Sequence, residues 1–400
     1  MRRLLLVSGL LLAVSSARAD SQFGAGGLGV GISPTNVRGW ALGGLAVALD
    51  DTLRLSLANP AAPAGYRRVS MSAVYLADRR EAADETGEAF FTTSGIPLFE
   101  FLIPFGSRFA LGFGYDVDED LGTARTRVPF LPGEDPVVPH TRYFERSGAL
   151  FRVPAAFCFR LFDDLRIGFR IDNYFLNVEE TYDLDFDDPS IRSARERLRV
   201  GCSGAGATVG ILVPFRERLT AGFVYTSPAT LDGDRERVGA SGSKGIDPIE
   251  VGTPERIAAG VSLRLGEGWT VGAEAALASW EEVGDTIAAL GGYRDVVSYA
   301  VGVERAPGRD DPSFLRLPIR AGFRVDPLSY RSEGGEEIAR WMATIGSGVP
   351  LGGGRGTLDF GVEYGTIGDR ESVGLEETYL RFLIGFTGQE PWKRRKSYIE

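Results

Sequence analysis

LRIGFRIDNYF, residues 165–175, alternates without a break. Leu165, Ile167, Phe169 and Ile171 fall on one side of an extended chain; Arg166, Gly168, Arg170 and Asp172 fall on the other. Successive side chains of a strand point to opposite faces, so a period of two predicts a strand with one apolar and one polar face. The pattern recurs. In 151–160, Phe151, Val153, Ala155, Phe157 and Phe159 oppose Arg152, Ala156, Cys158 and Arg160. In 108–117, Phe109, Leu111, Phe113, Tyr115 and Val117 oppose Arg108, Gly112, Gly114 and Asp116. Near the end, Leu380, Phe382, Ile384 and Phe386 oppose Tyr379, Arg381 and Gly385. A soluble sandwich alternates too, but its polar face would be rich in Lys, Thr and Ser. Here that face is crowded with Gly and Arg, and the only lysines are Lys244, Lys393 and Lys396. A curved wall around a filled lumen fits this composition better.

From Tyr66 to the end the same reading gives about fourteen strands, an even number as single-chain bacterial barrels have. Their approximate spans are 66–78, 87–103, 108–118, 145–160, 164–179, 199–213, 217–227, 255–265, 268–280, 294–305, 315–327, 338–349, 355–367 and 377–387. Short turns such as Phe105-Gly106-Ser107, Phe162-Asp163-Asp164 and Gly266-Glu267-Gly268 alternate with long polar segments at 119–144, 180–198 and 228–254. The connection at 306–314 is longer than this scheme wants. Long loops outside and short turns inside is the outer-membrane pattern, which would place both termini in the periplasm. After the N-terminus no run of ~20 apolar residues exists, so no helical span is expected; a barrel strand needs only ~9–11 residues. The expected fold is all-β: a single transmembrane antiparallel β-barrel of about 14 strands with an N-terminal hatch, or plug, inside the lumen.

The ends of the chain set the compartment. Arg2-Arg3, the apolar run Leu4–Val14 and Ala17-Arg18-Ala19 before Asp20 read as a signal peptide over 1–19. The destination is then the outer membrane of a Gram-negative bacterium. Ser21–Trp40 is Gly-rich with no clear period, and 41–66, ALGGLAVALDDTLRLSLANPAAPAGY, is too broken by Gly and Pro for a long helix or strand. We assign 20–65 to the hatch, 66–388 to the barrel and 389–400, QEPWKRRKSYIE, to a basic periplasmic tail. That tail reads as a solvated end, or as a contact with inner-leaflet headgroups or a periplasmic partner through Trp392. Cys158 and Cys202 fall two strands apart, too distant for easy bridging.

A net charge of -10 argues against nucleic acid as a partner. The sole histidine, His140, has no G-x-S-x-G beside it, and no Cys/His spacing suggests a metal site. No enzyme, metal or cofactor is expected.

The Gly-rich start followed by GGLAVALDDTLRLSLANPAAPAGY resembles the plug segment of the FadL/TodX family of outer-membrane transporters of long-chain fatty acids and aromatic hydrocarbons. Asp50, Asp51, Asn59, Pro60 and Ala61 match that family's pattern; its last Gly is replaced by Ala62, and the aromatic that usually precedes Asn-Pro is absent. Gly210-Ile211-Leu212, Gly222–Pro228, Thr253–Ile257 with Gly260, Trp280 and Arg316–Gly322 continue the resemblance over 24–388. It implies uptake of a hydrophobic small molecule by a monomer in contact with outer-membrane lipids. Capture would occur at the outer loops, holding in a pocket above the hatch, and release sideways beside a kinked third strand, where Gly112 and Gly114 are the expected lateral opening.

Phe130 and Val137, in the apolar patches of 119–144, are expected to contact ligand, with 228–254 completing an external groove. Inward arginines read chiefly as a lumenal ion-pair network; Arg170 and Arg320 are the candidates to receive a ligand carboxylate. Asp50, Asp51 and Asn59 would tie the hatch to the wall. The competing reading is a secretion-associated or structural barrel acting with a protein partner.

Overall fold

The computed structural model describes residues 21–32, 35–85, 87–128, 138–162, 165–215, 218–266, 268–283, 292–308 and 316–391. The signal peptide, Phe130, Val137 and all but the start of the basic tail lie outside the described residues.

The strands are β1 (Val30–Gly31), β2 (Val69–Asp84), β3 (Glu88–Phe105), β4 (Phe109–Asp120), β5 (Thr123–Val128), β6 (His140–Phe162), β7 (Leu165–Phe186), β8 (Ala194–Phe215) and β9 (Leu219–Thr226). They continue as β10 (Ala229–Val238), β11 (Lys244–Thr253), β12 (Glu255–Leu265), β13 (Trp269–Ser279), β14 (Val296–Arg305), β15 (Ile319–Val325), β16 (Arg340–Leu351), β17 (Gly356–Asp369) and β18 (Leu375–Glu390). β4 with β5, β9 with β10 and β11 with β12 are each one wall strand in two pieces, because both pieces pair with a common neighbour or with each other's partners. The wall is therefore a closed, antiparallel barrel of 14 strands, as the alternation predicts. Closure comes from β18 against β2, from Glu390↔Val69 to Leu375↔Asp84.

The faces are inverted relative to a soluble protein. Tyr75, Phe360, Phe382, Ile384 and Phe386 are exposed on the outside, while Arg152, Asp172, Arg320, Glu363 and Glu377 are buried inside. An outward apolar band over an inward polar face is what a bilayer-spanning barrel requires. No helix among the described residues is long and apolar enough to cross a membrane.

Three expectations are corrected. β6, β7 and β8 run 23, 22 and 22 residues, well past the spans read from sequence. Most of 180–198 and 228–254 is strand rather than loop, and β10–β11 form a hairpin where a groove was expected. In 232–238 and 244–250, DGDRERV and KGIDPIE, few apolar residues remain, so the alternation that marks a strand is lost there. Cross-strand ion pairs replace it: Glu179 with Arg197 (3.0 Å) and Arg199 (2.8 Å), and Arg237 with Glu196 (3.2 Å). β18 also ends at Glu390, two residues beyond the expected barrel boundary.

Inside, the long-loop half of the lumen holds an apolar cluster that includes Phe23, Leu28, Leu121, Tyr293, Tyr330 and Ile367. The short-turn half holds charges beside a smaller apolar cluster that includes Leu55, Leu57, Tyr66, Leu102 and Cys158.

Candidate functional site: the filled lumen

Residues 21–66 run through the lumen from the long-loop end to the short-turn end. Ser21 donates to Glu377, beside the last long-side turn; α1 (Val37–Trp40) packs near β16, β17 and β18; Thr52 meets Gln389 at the other end. The start of the described chain therefore lies at the long-loop end, while both ends of the wall lie at the short-turn end, where both termini were expected.

The wall glycines explain this close approach. A Cβ on Gly168 would lie 2.0 Å from the Pro60 carbonyl carbon, and one on Gly322 would lie 2.0 Å from the Gly43 nitrogen. The polar face is rich in Gly because backbone meets backbone there.

Charge fixes the segment's position. Asp51 pairs with Arg38 (3.1 Å) and Arg54 (3.5 Å); Arg38 pairs with Glu304 (2.8 Å); Glu304 with Arg320 (2.7 Å); Arg320 with Asp359 (2.7 Å); and Asp359 with Arg54 (2.9 Å). These six side chains close a ring of alternating sign, three from the segment and three from β14, β15 and β17. Buried charges are tolerated when paired in this way. Asp50 pairs with Arg166 at 2.7 Å. Asn59, fully buried, donates to the carbonyls of Val47 (2.7 Å) and Ile211 (3.2 Å) and accepts from the Ala61 N–H (2.9 Å). Pro60 lies against Gly168 and Gly210. Of the residues read from sequence as tying the segment to the wall, Asp50 and Asn59 meet wall groups, whereas Asp51 pairs with Arg38 and Arg54 of the segment itself. Arg38 and Arg54 were missed, because their stretch has no period to mark a facing direction.

A cavity of 220 Å³ lies between the segment and wall strands β4, β6, β7, β9 and β12 to β16. Ala276, Trp280, Val296 and Leu328 form its apolar side. The polar side includes Arg152, Arg170, Arg256 and Arg340, each engaged by an acid: Arg152 by Asp116 (2.7 Å), Arg170 by Asp172 (2.7 Å), Arg256 by Glu119 (2.8 Å) and Arg340 by Asp326. Arg170 also donates to the Leu57 carbonyl at 2.7 Å. Arg320 is not in the cavity lining; it is 1% exposed and held in the charge ring. The carboxylate-receiving role expected of these two is already filled from within the chain.

The wall parts at a different place from the one expected. At Gly112 both ladders are made, to Leu102 and Ala156; Gly114 pairs with Glu100 of β3, while the ladder to β6 skips Gly114 and Tyr115 beside Pro154. The missing Cβ of Gly112 makes room for Leu57, not for a bend. The β3–β4 ladder ends at Leu98↔Asp116, and beyond it β3 pairs only with β2 among the described residues. Pro97, which has no N–H, stands at that point. β4 then turns inward: Asp116 to Asp120 are buried without alternation. The edge that β3 leaves is taken by β1, Val30↔Asp120 and Gly31↔Glu119, with the Ile32 N–H on the Asp118 carbonyl at 2.9 Å.

Cys158 and Cys202 are free and buried. His140 sits at the start of β6, its Nδ1 2.9 Å from the Val138 carbonyl oxygen. Among the described residues no group of His, Cys, Asp and Glu could hold a metal.

Fold and site define a class: a 14-stranded antiparallel barrel whose lumen is occupied by its own N-terminal segment. Within it, the chain belongs to the BamG family, whose model matches residues 1–398. No curated protein matches the chain in sequence. Among solved structures it is similar to a Pseudomonas aeruginosa FadL homologue (TM-score 0.64, 15% identity, 91% of this chain and 100% of that one). It is also similar to the Pseudomonas putida toluene transporter TodX (0.59, 16%, 91% and 99%) and the Ralstonia pickettii toluene transporter TbuX (0.58, 16%, 89% and 98%). The resemblance read from the sequence holds for the fold; the family that matches is a different one.

Proposed function

We propose that this chain is an outer-membrane barrel for uptake of compact hydrophobic molecules, held in the lumenal cavity and released sideways where β3 and β4 part. The observation that carries this reading is the parting itself, set in an otherwise closed wall and backed by a part-apolar cavity. A hydrophobic ligand gains nothing from a water-filled pore, whereas each CH₂ removed from water is worth about 0.8 kcal/mol. A 150 Å³ apolar cavity holds benzene, so 220 Å³ suits a ring-sized ligand. The likeness to FadL and toluene-transporter structures supports the reading at the level of the fold. The membrane is then the outer one, with the long loops outside.

The test is native mass spectrometry of the barrel extracted in mild detergent, offered toluene and palmitate as separate probes. Retention of toluene at one site supports the proposal. Absence of both, together with no stimulation of toluene uptake in cells, overturns it.

A second reading, a barrel acting with a protein partner, is favoured by the closed ionic ring that the segment and wall form in the short-turn half. A partner that co-purifies and is lost on deleting 389–400 would decide for it.

A further inference from the structure

The Gly-rich stretch SQFGAGGLGV, residues 21–30, touches the uptake cavity only at Gly29 and the parted edge only at Val30, yet the wall holds it almost atom by atom. Ser21 donates its N–H to the Gly122 carbonyl at 3.0 Å and its hydroxyl to Glu377 at 2.7 Å. The Gln22 N–H donates to the second oxygen of the same carboxylate. Arg80 steadies that carboxylate from 3.2 Å. One guanidinium nitrogen of Arg146 donates to the carbonyls of Gly24 (3.2 Å), Ala25 (3.0 Å) and Gly27 (3.2 Å). The Tyr330 hydroxyl donates to the Phe23 carbonyl. The Phe23 ring is buried in the apolar cluster, and Val30–Gly31 add to the free edge of β4. A side chain at position 24 would strike the Gly122 carbonyl, its Cβ only 2.1 Å away.

The segment is a 3-10 turn over Gln22–Ala25 that becomes extended only at Val30–Gly31, and it is held by the means with which proteins bind peptides from other chains. A carboxylate takes a leading hydroxyl and the next N–H, an arginine reads main-chain carbonyls, an apolar pocket takes an aromatic anchor, and a sheet edge supplies strand pairing. A surface built for hydrocarbon needs none of the first two. We propose that the long-loop half of the lumen is a peptide-binding site, occupied in cis by residues 21–30. Its ligand class is a glycine-rich peptide that takes up a 3-10 turn over its second to fifth residues, as Gln22–Ala25 do, with an aromatic side chain third in line. The site takes such a peptide in trans when the resident segment is removed. Tethering keeps the resident at an effective concentration of order mM, so the intact chain is saturated. This inference stands apart from the uptake reading: either can fail alone.

The test uses the chain lacking residues 21–30, with its folding checked by heat-modifiable mobility, and a fluorescent synthetic peptide SQFGAGGLGV. Saturable binding is expected. It should fall about tenfold or more when the peptide carries Phe23→Ala, as loss of a buried anchor does, and vanish when the barrel carries Arg146→Gln with Glu377→Gln. No saturable binding to a folded barrel, or equal binding of a scrambled peptide, overturns the proposal. If the deletion prevents folding, the full chain with Gln22→Cys in detergent replaces it. Free peptide at concentrations of order mM should then accelerate maleimide labelling at that position. An unchanged labelling rate overturns the proposal.

Discussion

Arg320 on β15 reaches past β16 to Asp359 on β17, and the two charges meet at 2.7 Å inside the lumen. Neither pairs only with the other. Arg320 also holds Glu304, and Asp359 also holds Arg54 of the N-terminal segment. The segment's seating therefore depends on charges carried by three wall strands.

Removing one member strands its partners. Arg320→Met should lower stability by about 3–5 kcal/mol, the cost of leaving a buried charge without its partner. Asp359→Leu in the same chain should recover part of that loss. Urea midpoints of the detergent-solubilised barrel would show it. A midpoint unchanged by Arg320→Met would show that the ring contributes nothing.

Asn59 uses its side-chain amide on both sides, donating to Val47 and Ile211 and accepting from Ala61. Asn59→Ala leaves those buried backbone groups unmet, at about 1–3 kcal/mol for each one that finds no other partner. Thermal unfolding should move down accordingly. Wild-type stability would remove the latch role.

Gly168→Val should dislodge the segment, because the added Cβ would lie 2.0 Å from the Pro60 carbonyl carbon. In planar bilayers the variant should conduct where the parent is closed. Gly245→Ala, with nothing within 4 Å of its added Cβ, is the control and should stay closed.

Pro97→Thr supplies the missing N–H at the parting. β3 should then pair further along β4, and toluene uptake should fall several-fold with folding unchanged. Equal uptake would argue against release through that gap.

The wall was legible in the sequence wherever lipid faces one side and the filled lumen the other, since only that contrast gives a period of two. Residues 165–175 show it at full strength. Beyond the lipid band the contrast fades, and β10 and β11 read as loop. In the segment, Asp50-Asp51 and Asn59-Pro60 stood out as an acid pair and a turn motif. Arg38 and Arg54 did not, because nothing local says which wall charge they meet. Gly112 was expected to let the hatch approach or the wall bend, and it is the approach of Leu57 that the structure shows there. The cue that mattered was Pro97 on the neighbouring strand, and its meaning depends on a pairing that sequence spacing does not reveal.

The contact between β18 and β2 joins the first and last wall strands of the chain, with Glu390 beside Val69. Such a seam has the longest loop to close, and it can form only after the ribosome has finished the final strand. Until then β2 presents an open edge with no partner, which hydrocarbon does not tolerate. The half-made wall must be sheltered from the bilayer, and wall closure is an end-stage, all-or-none event. A chain cut short before residue 375 would lose one strand of fourteen and with it the means of sealing itself at all.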